Sequence, residues 1–235
     1  MGGDAMLRML GRLAGLLLLT LTPLGAAEAA EASERVATAI VFAVDVSGSV
    51  NAERYELQRA GIAAIFADVA IEQILADGLA VALMEWSDGH AVVVPWTILR
   101  TPADARALAR RIAAVPRAPG ISTELSLALL AAADLLDVCP CTAQGRVIDL
   151  SGDGSNNGPM STNLARDEVV ARGIRINGLP IVTAEEPDVA EWYRANVVGG
   201  DGAFMEVANG YEDFARAMRR KFLLEVAELK SGRGG

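Results

Sequence analysis

"IVFAVDVSGSV", Ile40 to Val50, opens with an apolar run of the kind that an α/β sheet buries. At the point where such a strand hands over to a helix, it places Asp45, Ser47 and Ser49 at alternating positions. In an open parallel sheet, ligands gather at the carboxyl ends of the strands, where the first strand meets its helix. A carboxylate and two hydroxyls are hard oxygen ligands that suit Mg²⁺, Mn²⁺ or Ca²⁺. Gly48, between the serines, is expected to let the backbone turn sharply enough for both hydroxyls to face inward. The turn reads as a metal cradle, provided that other loops complete it.

Outward from this turn, strand-like and helical patterns alternate, which predicts a parallel sheet covered on both faces. A long helix is expected over 52–75, with Leu57, Gly61, Ile65 and Val69 near one face. "LAVALMEWS" and "HAVVVPWTIL", separated by Asp88 and Gly89, predict a hairpin whose second strand lies at the sheet edge, where Pro95 is tolerated. "TPADARALARRIAAV" has a threonine cap and a proline in its first turn. "TELSLALLAAADLL", "NLARDEVVARG" and "EPDVAEWYRANVV" follow as helices, "RVIDLSGDG", "IRINGLPIV" and "AFMEVA" as strands, and "YEDFARAMRRKFLLEVAELK" as a closing helix. The fold class is α/β: Rossmann-like and doubly wound, a mostly parallel sheet with one antiparallel edge strand and helices on both faces. No repeat or low-complexity block marks a second domain.

With 235 residues, 52% of them hydrophobic, and a mean hydropathy of +0.31, the chain is long and apolar enough for one domain with a sizeable core. Part of that hydrophobicity lies in residues 1–29, where Arg8 and Arg12 precede "LAGLLLLTLTPLGAAEAA", the build of a secretory signal peptide cleaved after Ala27 or Ala29. Charge-free sequence covers only the 15 residues from Leu13 to Ala27, whereas a spanning helix needs about 20. No stable membrane insertion is expected after cleavage, and the expected localisation is periplasmic or secreted. Met6 offers a second candidate start. Loss of residues 1–27 moves the formal charge from -9 to about -10. Nucleic acid is therefore not expected as a partner; Arg216, Arg219, Arg220 and Lys221 read as a solvated helix face. Cys139 and Cys141, in an exported chain, read as a local structural disulfide ahead of the next strand.

Two further loops bear on the cradle. "DLSGDGSNNG" puts Asp153 on the exit turn of a buried strand, and "PGISTELSLAL" puts Thr123 just ahead of a helix. With the Asp-x-Ser-x-Ser turn of Asp45, Ser47 and Ser49, and Ala128 and Leu129 following Thr123, these residues resemble the von Willebrand factor A domain and its metal-ion-dependent adhesion site. The resemblance runs from Thr38 to Glu228, leaving 229–235 as a disordered tail. "MEWS" and "SGDGSNN" are also similar to a group of exported bacterial members. The resemblance implies that Ser47, Ser49 and Thr123 offer hydroxyls to the ion, and that Asp45 and Asp153 act directly or through water. Ile121 and Ser122 stand where many members carry two glycines, so Ser122 competes with Thr123 as a ligand.

Two carboxylates balance a divalent ion and neutral hydroxyls donate weakly, so such an ion stays electron-poor and takes an anionic oxygen from outside. The function expected is an exported metal-dependent protein-binding module, completed by an Asp or Glu of an unidentified partner protein, without enzymatic turnover. The alternative is a Mg²⁺-dependent phosphate-ester hydrolase built on Asp45. Enzymes of that kind usually carry a second acid two residues on, and here that position is Ser47. His90 reads as a solvated loop residue, "SNNGP" as a turn, and Glu124 as an acid on a first helical turn. Glu85 is either a paired buried acid or a residue facing the metal cleft.

Overall fold

The computed structural model describes residues 33–71, 75–118 and 120–231, with side chains described as far as Glu225. The signal peptide read over 1–29 lies outside the described residues, as does the end of the expected tail, 232–235. Ten residues of consecutive burial at the end of β1 (Glu34–Asp45) confirm the apolar run as the sheet's centre. It is followed by α1 (Ala52–Ala67), β2 (Leu79–Trp86), β3 (His90–Leu99), α2 (Pro102–Ala113), α3 (Leu125–Asp137), β4 (Cys141–Gly152), α4 (Thr162–Ala171), β5 (Arg175–Val182), α5 (Val189–Asn196), β6 (Ala208–Asn209) and α6 (Phe214–Ser231).

The sheet order is β3-β2-β1-β4-β5-β6, with only β3 antiparallel to its neighbour. β1 pairs in parallel with both β2 and β4, so the chain leaves the sheet in opposite directions on either side of it. The resulting crevice lies between the carboxyl ends of β1 and β4, the general place for a ligand in such sheets. Side chains alternate across β1: Ile40, Phe42 and Val44 pack with α1, α2 and α6, whereas Ala39, Val41 and Ala43 pack with α3, α4 and α5. Phe42, Phe66 and Phe222 form a ring cluster on the first face, with centroids 5.8 to 6.3 Å apart.

Thr101 caps α2 in a capping box with Asp104, as the sequence leads one to expect. Pro95 sits in the edge strand, where the β2/β3 register shifts between Val81 and Met84. Cys139 and Cys141 are bonded to each other just as β4 begins.

Three expectations are corrected. α1 stops at Ala67, because Asp68 turns extended and its Oδ1 accepts from Ala70 N at 2.9 Å while its other oxygen pairs with Arg219; Val69 is left 77% exposed. The strand expected at "AFMEVA" is only Ala208–Asn209, preceded by one bridge from Met205 to Gly178. Lys221 is not on a solvated face: it is fully buried, while Arg216, Arg219 and Arg220 beside it are exposed. No helix of the described residues is long and apolar enough to cross a membrane.

Candidate metal centre

β1 ends on Asp45, whose side chain is fully buried and folds back so that Oδ1 accepts from Ser47 N at 2.7 Å. That bond closes the turn and leads into Asn51, which caps α1 by accepting from Arg54 N at 2.9 Å. The Ser47 and Ser49 hydroxyls face each other at 3.2 Å, and Ser49 donates to Asp153 Oδ1 at 2.6 Å. Gly48 has no positive φ, so the left-handed region is not what asks for glycine here. It is needed because a Cβ there would stand 3.0 Å from the Ile121 carbonyl, to which Gly48 N donates at 3.3 Å. The first loop is thereby fastened to the one that carries Thr123.

Thr123 is held on both sides of its backbone by Asn157: Thr123 N donates to Asn157 Oδ1 at 2.9 Å, and Asn157 N to Thr123 O at 3.0 Å. Asn156 accepts from Ser126 N and donates to Met160 O at 2.9 Å. "SNNGP" is therefore more than a turn, since its two asparagines brace the threonine loop. Thr123 rather than Ser122 lines the cleft, together with Gly48, Ser49, Asp153, Gly154 and Asn157; the cleft measures about 390 Å³. Asp45, Ser47 and Ser49 after β1, Asp153 after β4 and Thr123 on the loop between α2 and α3 thus meet at one crevice.

Asp45 Oδ2 has no hydrogen-bond partner, although it is buried. Burial pushes this carboxyl from its ordinary 3.8 up to about 7, against the pull of the Ser47 bonds, and the Asp153 charge adds to the rise. A Cβ on Gly152 would lie 2.9 Å from Oδ2 and 2.7 Å from the Tyr193 hydroxyl, so glycine keeps that side of Asp45 open. A buried carboxylate oxygen without a donor, next to a second carboxylate and three hydroxyls, is a donor set that fits a divalent cation. Among the described residues no three His, Cys, Asp or Glu cluster around a point, so an ion here depends on the hydroxyls.

Sequence reasoning missed Arg54. Its Nη1 lies 3.4 Å from Asp153 Oδ2 and donates to Ser49 O at 3.0 Å, and its Nη2 is 3.7 Å from Glu185. The guanidinium stacks over the Tyr211 ring at 5.1 Å. The only signal in the sequence was helical phase: the first turn after the Asn51 cap points a side chain back at Ser49. Of the residues left open, Glu85 is a paired buried acid, accepting from Tyr55 OH at 2.6 Å. His90 is exposed at the start of β3, beside the hairpin turn.

The solved structures that this chain resembles share the fold. Proximal thread matrix protein 1 from the mussel byssus, with its MIDAS motif occupied by zinc, is 19% identical with a TM-score of 0.58, over 83% of this chain and 47% of that one. The pilus adhesin SpaC from Lactobacillus rhamnosus GG is 13% identical with a TM-score of 0.59, over 83% and 30%. The vWF domain of Mfa5, the type V pili tip protein of Porphyromonas gingivalis, is 11% identical with a TM-score of 0.60, over 82% and 96%. This chain spans about half the length of the mussel proteins it matches. No curated protein matches it. Its fold is that of the von Willebrand factor A domain. A family model covers residues 35–230, nearly all of the described chain, and the chain belongs to that family, described as Protein of unknown function (DUF1194).

Proposed function

We propose that the mature chain is exported, to the periplasm or beyond, and binds a divalent ion at Asp45, Ser47, Ser49, Thr123 and Asp153. The ion, Mg²⁺ or else Mn²⁺ or Ca²⁺, holds an Asp or Glu of a partner protein. The observation that carries this reading is the buried, unpartnered Asp45 Oδ2 at the crevice where Ser49 already joins Asp153. When bound, the ion supplies a positive centre with room for an outside oxygen. Asp45 and Asp153 supply the balancing charge, the hydroxyls complete the cradle, and Asn157 holds Thr123 in place.

Binding rather than turnover is favoured because Ser47 stands where a phosphate-ester hydrolase would need its second acid, and because the exposed His90 opens a strand at the hairpin. A mature charge of about -10 repels an acidic partner at long range, so association is slow, is assisted by salt, and depends on the ion. The zinc-occupied motif of the mussel protein adds Zn²⁺ to the ions worth testing. The test is calorimetry with Mg²⁺, Mn²⁺, Ca²⁺ and Zn²⁺, followed by capture of exported proteins with and without EDTA. Release of a captured partner by EDTA and by Thr123→Ala supports the reading. A partner indifferent to both overturns it, as does metal-dependent hydrolysis of a phosphate ester that disappears in Asp45→Ala.

A further inference from the structure

On the opposite face of the sheet from α3, a charged cluster is sealed inside the protein. Lys221 of α6 and Asp149 of β4 are both fully buried, with Lys221 Nζ 2.5 Å from Asp149 Oδ2. Nζ is also 2.6 Å from Oε1 of Glu225, one helical turn on and 2% exposed. Asn177, the neighbour of Asp149 on β5, donates to the same Glu225 oxygen at 2.8 Å and accepts from Phe204 N, and the Phe204 ring lies 5.8 Å from Nζ. Neither oxygen of Asp149 nor Glu225 Oε2 makes a hydrogen bond, so the contact of Asp149 Oδ2 with Lys221 is an ion pair alone.

Two carboxylates against one ammonium leave this cluster one negative charge in excess, away from water. A buried ion pair recovers its desolvation cost only when the remaining lone pairs are satisfied, and here they are not. Burial accordingly pushes the Asp149 carboxyl upward, with the Lys221 charge opposing and Glu225 adding to the rise. The two acids also differ in their surroundings. Glu225 is held by two donors, Lys221 and Asn177, and is fitted to carry a proton between partners. Asp149 meets the amine through Oδ2, on the carbon that an amine attacks, and lies close enough to Glu225 for the charge of that carboxylate to raise it.

We propose that Lys221 and Asp149 condense to an amide, a side-chain crosslink between α6 and β4, with Glu225 as the proton carrier. Glu225 takes a proton from the ammonium and passes it to Asp149, which leaves a neutral amine beside a neutral carboxyl. The Nζ lone pair bonds to Asp149 Cγ. A second proton moves from Nζ through Glu225 to the departing hydroxyl, the C–O bond breaks, and water leaves. Nζ keeps its third hydrogen as the amide N–H, and Glu225 ends as the carboxylate it began as. One ammonium and one carboxylate become one amide and one water, and no other reactant is needed. In bulk water this condensation is unfavourable. In a dry site it removes two buried ions, and the 2.5 Å contact between Nζ and Asp149 Oδ2 holds the amine beside the carboxyl it is to attack.

The test is the mass of the wild-type chain, denatured and with its disulfide reduced. It is expected to be lighter than the sequence by one water, with the loss mapped to a branched peptide joining Asp149 to Lys221 and with trypsin unable to cut after Lys221. Lys221→Arg, which keeps the charge but not the amine, is expected at full mass, and so is freshly made Glu225→Gln. A wild-type chain at full mass overturns the proposal. So does a missing water that maps to an Asp-Gly step such as Asp88-Gly89, where a succinimide forms instead. A fully crosslinked Glu225→Gln chain overturns the role given to Glu225. None of these outcomes depends on a metal ion.

Discussion

Ser49 Oγ donates to Asp153 Oδ1 at 2.6 Å, joining two loops whose residues lie 104 positions apart in the chain. This bond ties the turn after β1 to the turn after β4 through the protein's own side chains. Pre-formed geometry of this kind lowers the ordering cost of binding.

Metal binding is expected to depend on both carboxylates. Saturation at one hundred times Kd adds about 2.7 kcal/mol to the wild-type chain. Asp45→Ala and Asp153→Ala are expected to lose that gain while remaining folded, as read by thermal unfolding with and without Mg²⁺ or Mn²⁺. Undiminished stabilisation in both variants would remove these residues from the site.

Arg54 is expected to compete with an ion for Asp153. Replacing Arg54 by Ala removes a positive charge 3.4 Å from Asp153 Oδ2, and in a partly solvated setting this is worth roughly a tenfold gain in metal affinity at low salt. The gain shrinks as salt is added. Calorimetry on the two proteins checks it; weaker binding in Arg54→Ala would mean that the guanidinium supports the cradle instead.

Asn157→Ala is expected to release the Thr123 loop. It removes the acceptor for Thr123 N, at a cost of about 1 kcal/mol, and weakens metal binding as well. Hydrogen exchange at Thr123 measures the first effect, calorimetry the second.

Tyr55→Phe is expected to make stability more sensitive to pH. Burial raises the Glu85 carboxyl above its ordinary range, and the Tyr55 bond pulls it back. Between the unfolded and folded pKa values the folded state binds the extra proton, so this carboxyl costs stability as pH rises through that window. Without Tyr55 the window widens upward. The variant should be destabilised by roughly 1 to 3 kcal/mol at neutral pH and by less near pH 4, measured by urea unfolding at both. An equal deficit at both values would assign the effect to packing alone.

The Cys139–Cys141 bond closes a loop with only one residue between its cysteines, so on the chain-entropy account its reduction costs roughly 1 to 2 kcal/mol. The Cys139→Ser, Cys141→Ser double variant should unfold at slightly lower urea and keep its metal affinity.

Much of this molecule was legible in the residue pattern because it depends on period and position. Continuous apolar runs pointed to β1 and β4, the Asp88-Gly89 pair to the hairpin, and the strand-end placement of Asp45 and Asp153, with Thr123 just ahead of a helix, to the crevice. What escaped depends on contacts between distant parts of the chain. α1 ends at Ala67 because Asp68 finds Ala70 N and Arg219, and nothing in the local helical pattern shows that choice. Lys221 sits in a run of arginines and shares their helical spacing, yet it turns inward because Asp149 waits on β4. Gly48 invites a conformational reading, whereas its reason is the carbonyl of Ile121.

The two ends of the sheet decide how another chain can join this one. β3, on one border, carries Pro95, which has no N–H to offer, and a register shift that bends its outer rim. β6, on the other, is two residues long. Neither border offers a long, flat ladder on which a foreign strand could extend the sheet. Association by strand donation, which is slow to reverse, is therefore disfavoured at these two borders of the described sheet, and side chains and loops offer the readier contacts. A link of that kind can be broken by whatever strips the contact away, without unfolding either molecule.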